Sequence, residues 1–306
     1  MLPRTYINPP DHWVTQPALP YSQAVRCGEL LFITGQVALD KALQVIAPGN
    51  LPGQISAAMG DLCSVLDAAD MVPSDLVQLR AFYVDESTSS SETVAKRIAH
   101  AMEPLAGPGP ALTLVPVQAL MSPDVLFEVE AIAMRSHNGQ ALARTAAWDP
   151  SWHGPPAPFS HALRVGEMCF TSGVTAQSHG FIEAPEDLTG QSHIVLRRLD
   201  ALLRQLGADI NDTVKTNLFN VEPGNTQDWA APALARGSYY TEPGPAATGL
   251  SLKAMRPEGV MMINDVIAMR ATNGERLPRS HVWPDNHWDW TVHLPYRHGV
   301  RCGDLI

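Results

Sequence analysis

The chain has 306 residues, a length that fits about two domains, and its 45% apolar and 17% charged content excludes disorder and supports at least one sizeable core. Twenty-one basic against 31 acidic side chains leave a formal net charge of −10, and no basic stretch offsets it, so nucleic acid is excluded as an expected partner. Four scattered cysteines with no CxxC, an N-terminus (MLPRTYINPPDHW) without an apolar signal core, and no apolar run near the roughly 18 residues of a membrane span lead to the expectation of a cytoplasmic protein with no membrane partner.

In chain order, PYSQAVRCGELLFITGQ at 20–36 contains a β-rich run, 29–37, and a second short strand or hairpin arm is expected at 43–47. QISAAMGDLCSVLDAA (54–69) places Ile55, Met59, Leu62, Leu66 and Ala69 at spacings of 4, 3, 4 and 3, which predicts an amphipathic helix. A strand is expected at 77–84, a helix at 91–103 capped by Ser90 or Ser91, and strands at 112–117 and 125–134. Residues 143–158, rich in Pro, Trp and polar side chains, carry no helical or alternating period and read as a linker.

The series then begins again. PFSHALRVGEMCFTSGV at 158–174 answers the first opening at an offset of 138, and DVIAMRATNGERL at 265–277 answers EAIAMRSHNGQAL at 130–142 at an offset of 135. Between them lie a helix carrying Val195, Leu199, Leu202 and Leu206 and stopped by Gly207, a strand at 214–221, a helix at 227–240, and strands at 247–252 and 260–269. A second linker, 278–290, leads to a third opening, PYRHGVRCGDLI at 295–306, and a Trp stands upstream of each opening (Trp13, Trp152, Trp288).

A period of about 137 exceeds the 20–50 residues of solenoid repeats and suits a whole domain. The expected organisation is a first unit at 1–145, a second at 146–280, and a linker with the truncated start of a third at 281–306, so that the chain is expected to continue beyond Ile306. Each unit has the order ββαβαββ, an α/β (α+β) class with a mixed sheet and two helices on one face, duplicated in tandem. In 260–269, Val260, Met262, Val266 and Ala268 alternate with Met261, Ile263, Ile267 and Met269. A strand with two apolar faces is buried twice, which predicts assembly between units, within or between chains.

The opening motif, a strand ending in Val84-Asp85 or Val221-Glu222, the Gly-Pro steps at 109–110 and 244–245, and the closing FEVEAIAMR together resemble the RidA (YjgF, L-PSP) family over 20–142, 158–277 and 295–306. The resemblance implies a chorismate-mutase-like fold, assembly as a homo-oligomer or a pseudo-trimer of such units, pockets between neighbouring units, a small-molecule metabolite as partner, and no cofactor. It implies hydrolysis of an imine or enamine, for which a cation clamps the substrate carboxylate and a polar group positions water. The family's clamp Arg falls at Leu112 and Ala247, so neither copy carries it, and the Cys often found two residues on falls at Leu114 and Gly249. A catalytically degenerate metabolite-binding or regulatory protein is therefore the alternative, with endoribonuclease activity opposed by the net charge.

The resemblance assigns the catalytic acid of the last strand to Glu130 and Asp265, and ligand-lining positions to Tyr21, Thr34, Gly35, Leu112, Phe159, Ser172, Gly173 and Ala247. The structural alternatives are a satisfied acid at a unit interface, a packed aromatic ring, and a turn or bulge glycine. Eleven histidines form no HExxH or Cys/His pairing, so no metal is expected, and no GxSxG surrounds any serine. Arg26, Arg164 and Arg301 recur at one position and read as salt-bridging residues.

Overall fold

The computed structural model describes residues 3–15, 17, 19–84, 90–221 and 229–305. Asp85 and Glu222 of the expected Val-Asp and Val-Glu steps lie outside them. The chain divides into two compact units, Met1–Arg144 with Pro155–Phe159, and Thr145–Gly154 with Ser160–Ile306.

The first unit contains β1 (Arg4–Ile7), β2 (Ala24–Cys27), β3 (Leu30–Val37), α1 (Leu51–Ala68), β4 (Leu76–Val84), α2 (Ser91–Ala101), β5 (Ala111–Val117) and β6 (Phe127–Met134). They build a six-stranded sheet in the order β1-β2-β3-β6-β4-β5, in which β4 and β5 run parallel while β4 and β6, and β3 and β6, run antiparallel. α1 begins before the expected 54 because Asn50 accepts a hydrogen bond from Gly53 N at 3.0 Å, and Pro52 suits a first helical turn. Its face of Ile55, Met59, Leu62 and Leu66 packs in one core cluster with Leu79, Val129 and Ala131. Ser90 caps α2 by accepting from Thr93 N.

The second unit repeats this with β7 (Arg144–Ala147), β8 (Ala162–Val165), β9 (Met168–Thr171), a small β10 (Gln177–Ser178) and β11 (Phe181–Ile182) ribbon, α3 (Leu188–Gln205), β12 (Thr213–Val221), α4 (Ala230–Gly237), β13 (Ala246–Leu252), β14 (Met262–Met269), β15 (Arg279–Val282) and β16 (Gly299–Cys302). The main sheet runs β13-β12-β14-β9-β8-β7, and β15 and β16 form a two-stranded antiparallel sheet. Asp187 caps α3 through Gly190 N, and Gly207 at φ +75° ends it. Both units fix the entry to their last long strand with one buried glutamine. Gln54 donates to Asp124 O and accepts from Leu126 N, while Gln191 donates to Gly259 O and accepts from Met261 N. Among the described residues no helix is long and apolar enough to cross a membrane.

Two expectations need correction. The ββ pair that opens the first unit is 24–27 with 30–37, joined by a turn at Gly28 with φ +62°; the expected arm at 43–47 is only an isolated bridge, Leu39 to Val45. The segments read as linkers contain β7 and β15. Four residues at a sheet edge are too few to print an alternating pattern. Residues 279–305 belong to the second unit.

Those short strands are anchored by arginine. Arg279 donates to the carbonyls of Asn211 and Thr213 and reaches the fully buried Asp212, which also pairs with Arg270 at 2.8 Å. In the first unit Arg144 donates to the carbonyls of Ser74 and Leu76, and Arg135 pairs with Asp75. Losing Asp212 leaves buried guanidinium groups without their acid, so Asp212→Ala is expected to cost about 3 kcal/mol, whereas Arg276→Ala, at a half-exposed site, is expected to cost under about 1 kcal/mol. Urea unfolding followed by tryptophan emission distinguishes them, and equal costs would contradict this account.

His161 packs between the rings of Trp148 and Trp152, with centroids 5.0 and 4.4 Å away, and its Nδ1 accepts from Asp149 N at 3.1 Å. Burial holds its pKa down at about 4, against 6.5 for a free imidazole. Between those values the unfolded chain binds more protons than the folded one, so this contribution is complete above pH 6.5 and is lost as pH falls toward 4. Urea midpoints measured from pH 6.5 to 5 are expected to fall, with a shallower slope for His161→Gln; an unchanged slope would refute this role.

Candidate functional site

The second unit holds a cavity of about 370 Å³, within the range of small-molecule sites. Its floor is the parallel pair, with Thr216 and Leu218 of β12 beside Ala247 and Gly249 of β13, and Asn264 of β14 at the edge. α4 supplies Ala233 and Arg236, with Trp229 at its N-terminus, and the segment after β15 closes the rim with Trp290, Leu294 and Tyr296. Asn264 is locked: its Nδ2 donates to Thr216 Oγ1 at 2.8 Å and to the carbonyls of Asn217 and Asp265.

Tyr296 is brought there by a main-chain contact that both units make. Gly244 N donates to Pro295 O at 2.7 Å, and Gly109 N to Pro158 O at 3.2 Å. A Cβ on these glycines would stand 3.0 and 2.3 Å from those carbonyl oxygens, so the approach requires glycine at 109 and a shift of a few tenths of an ångström for any side chain at 244. The ring that follows, Tyr296 or Phe159, is thereby seated in the unit preceding its own opening motif.

The outcome differs between units. In the first, Leu112 and Leu114 pack in the same cluster as Phe159, which is fully buried. In the second, the equivalent positions are Ala247 and Gly249, and space remains. Leu112 and Phe159 therefore come together as apolar core. Ala247 lines the cavity.

The other expected residues lie elsewhere. Tyr21 is exposed. Thr34 donates to Gln23 O at 3.1 Å, and Ser172, fully buried, donates to Ser160 O at 2.6 Å, with Gly173 next to it. Glu130 pairs with Arg80 across the strands, and Asp265 accepts from Asn217 Nδ2 at 2.8 Å. Alternation places Asp265 on the sheet face opposite Asn264 and therefore away from the cavity. Gly35 lies directly under the Glu128 carboxylate, whose Oε1 would be 2.0 Å from an added Cβ.

Three residues escaped the sequence reading. Glu128 faces Gly35, and burial together with the charge of Glu130 raises its carboxyl above the usual range; the alternating acids of FEVE were its signal. The matching position in the second unit is Ile263, since Glu128 pairs with Phe82 and Ile263 with Phe219. Arg236 is the single cation in the apolar helix AAPALARG. Tyr296 was visible as the ring of the third opening.

Chemically, the described residues of the cavity wall carry hydroxyls, amides, aromatic rings and one guanidinium, and no Asp, Glu, His, Cys or Lys side chain is among them. The Tyr296 phenol is pushed up by burial, so it stays protonated at neutral pH. Among the described residues, no group of three or more His, Cys, Asp or Glu side chains is arranged to hold a metal.

The family profile described as Endoribonuclease L-PSP matches residues 14–135 and again 153–269. A RutC family protein of Pyrococcus horikoshii is 30% identical over 122 residues, 39% of this chain and 90% of that protein. A 2-iminobutanoate/2-iminopropanoate deaminase of Dermatophagoides farinae is 28% identical over 82 residues, 27% of this chain and 62% of that protein. Among solved structures, an Entamoeba histolytica protein described as a putative endoribonuclease L-PSP matches 43% of this chain and 99% of its own, with 24% identity and a TM-score of 0.38.

The contrast between units is testable without a ligand. Leu112→Ala is expected to cost about 3 kcal/mol, because it empties a filled core, whereas Ala247→Leu adds apolar atoms to open space and is expected to cost nothing measurable. Urea unfolding monitored by circular dichroism reads both; a destabilising Ala247→Leu would mean that no usable space exists there.

Proposed function

The chain belongs to the endoribonuclease L-PSP family, also called RidA, and from that premise we propose that it is a small-metabolite-binding protein whose site is the cavity of its second unit. The single observation that carries this reading is the cavity wall. It offers shape, aromatic surface and hydrogen bonds, and among the described residues no carboxyl, imidazole, thiol or amine lines it. General acid–base catalysis needs such a group within hydrogen-bond reach of the reacting atom. The ligand would be held and released unchanged.

One observation favours a second reading, imine or enamine hydrolysis at the first unit. Glu128 is a carboxyl that burial and the charge of Glu130 raise above the usual range, over a glycine at an irregular point of β3, the kind of perturbed acid that general acid–base chemistry uses. The deaminase name of the Dermatophagoides farinae relative agrees with that chemistry.

The two readings separate in one assay. An amino-acid oxidase supplies a 2-imino acid, and semicarbazide traps what remains. On the binding reading, the full chain leaves the rate of semicarbazone formation unchanged, while small 2-oxo acids raise its thermal midpoint. Faster loss of the imino acid, abolished by Glu128→Gln, would overturn it in favour of hydrolysis.

A further inference from the structure

The second unit's cavity contains a charge for which the described residues supply no carboxylate within ion-pair range. Arg236 projects from α4 into the cavity wall. Its Nη1 donates to Ser192 Oγ at 3.0 Å, and the guanidinium also lies against the Tyr296 hydroxyl. A guanidinium has five N–H donors; among the described residues these two neutral oxygens are its hydrogen-bond partners, with the Tyr240 phenol near it as well. Ion pairs within 4 Å join Arg80, Arg135, Arg198, Arg270, Arg279 and Arg297 to carboxylates, and Arg144 and Arg164 are instead held by two or more main-chain carbonyls each. Arg236 has no ion pair among the described residues. A largely buried cation without an anion is expensive, and such a group facing an open cavity is satisfied when the occupant brings the anion.

The rest of the wall defines the occupant's body. Trp229 and Trp290, with ring centroids 6.3 Å apart, line the cavity together with Leu188, Leu218 and Leu294. The volume of about 370 Å³ admits a ring-sized group. The strand position that would carry a cation in related chains is Ala247, so the positive charge enters from the helix side of the cavity. The first unit has no counterpart, since the residue one repeat earlier on α2 is Ala101.

We propose that Arg236 is an anion anchor and that the second unit's cavity takes a monocarboxylate with a flat apolar body, its carboxylate on the guanidinium and its body against Trp229 and Trp290. This rests on the binding reading given above. Arg236 acts with Tyr296 as a pair: Ser192 and the phenol take part of its five-donor capacity, and a carboxylate is to take a forked contact with the rest. The specificity that follows is for charge and planarity together.

Isothermal titration of the full chain with three probes reads this directly. Phenylacetate carries both features, phenylacetamide lacks the charge, and acetate lacks the body. Phenylacetate is expected to bind at least about tenfold more tightly than either, the scale of a charge-assisted forked contact in a desolvated site. In Arg236→Gln the advantage of acid over amide is expected to fall to about one, while Arg236→Lys keeps part of it. The wild-type comparison needs no variant, so a misfolded substitution does not leave the question open. Equal affinity of acid and amide for the wild-type chain would overturn the anchor and leave the cavity reading standing. Binding of neither at millimolar concentration would overturn the ligand class, and the midpoint shift with 2-oxo acids would then decide the cavity reading separately. An Arg236→Gln chain that keeps the full preference for acid would place the anion elsewhere.

Discussion

Everything distinctive in this molecule depends on a backbone contact made twice. A Gly-Pro step approaches the proline carbonyl of the next opening motif so closely that a methyl group has no room at Gly109 and a tight fit at Gly244. The contact costs side-chain volume at Gly109 and Gly244, and in return it delivers an aromatic ring to the edge of the parallel strand pair. The ring is therefore part of the unit before it. This explains why the opening motif and the Gly-Pro step recur in step along the chain although they are far apart within any one copy.

What each unit does with the delivered ring is decided by a few side chains. Leu112 and Leu114 close the first unit's space around Phe159, and shortening both positions to Ala247 and Gly249 opens it around Tyr296. The exchange of Phe for Tyr adds a hydroxyl, which is buried and therefore needs a partner; Arg236 supplies one. The two copies thus diverge in complementary ways. The first keeps an ionisable carboxyl, Glu128, on the opposite sheet face, whereas the second has Ile263 there and puts its charge into the cavity from α4.

Much of this was legible in the sequence. Helix positions followed from apolar spacing, because α1 and α3 bury one continuous face and their Asn50 and Asp187 caps are local. The strand order ββαβαββ followed from the repeat, since two copies of one pattern constrain each other. The short edge strands were not legible. RTAA and RSHV begin with Arg144 and Arg279, whose acceptors are carbonyls about 70 residues away along the chain, a pairing that no local pattern carries. The site was half legible. Ala247 was found by alignment with a motif, but the expected acids Glu130 and Asp265 are engaged by Arg80 and Asn217. Arg236 was missed because its charge matters only against the cavity that Ala247 and Gly249 leave open.

The central claim is that the second unit's cavity is a ligand site organised by Arg236. The most direct measurement is the diffraction of crystals soaked in phenylacetate. The account requires density for the ring beside Trp229 and Trp290, with both carboxylate oxygens in hydrogen-bond range of the Arg236 guanidinium. Density for the acid beside Glu128 and Gly35, with the second unit's cavity empty, would contradict it.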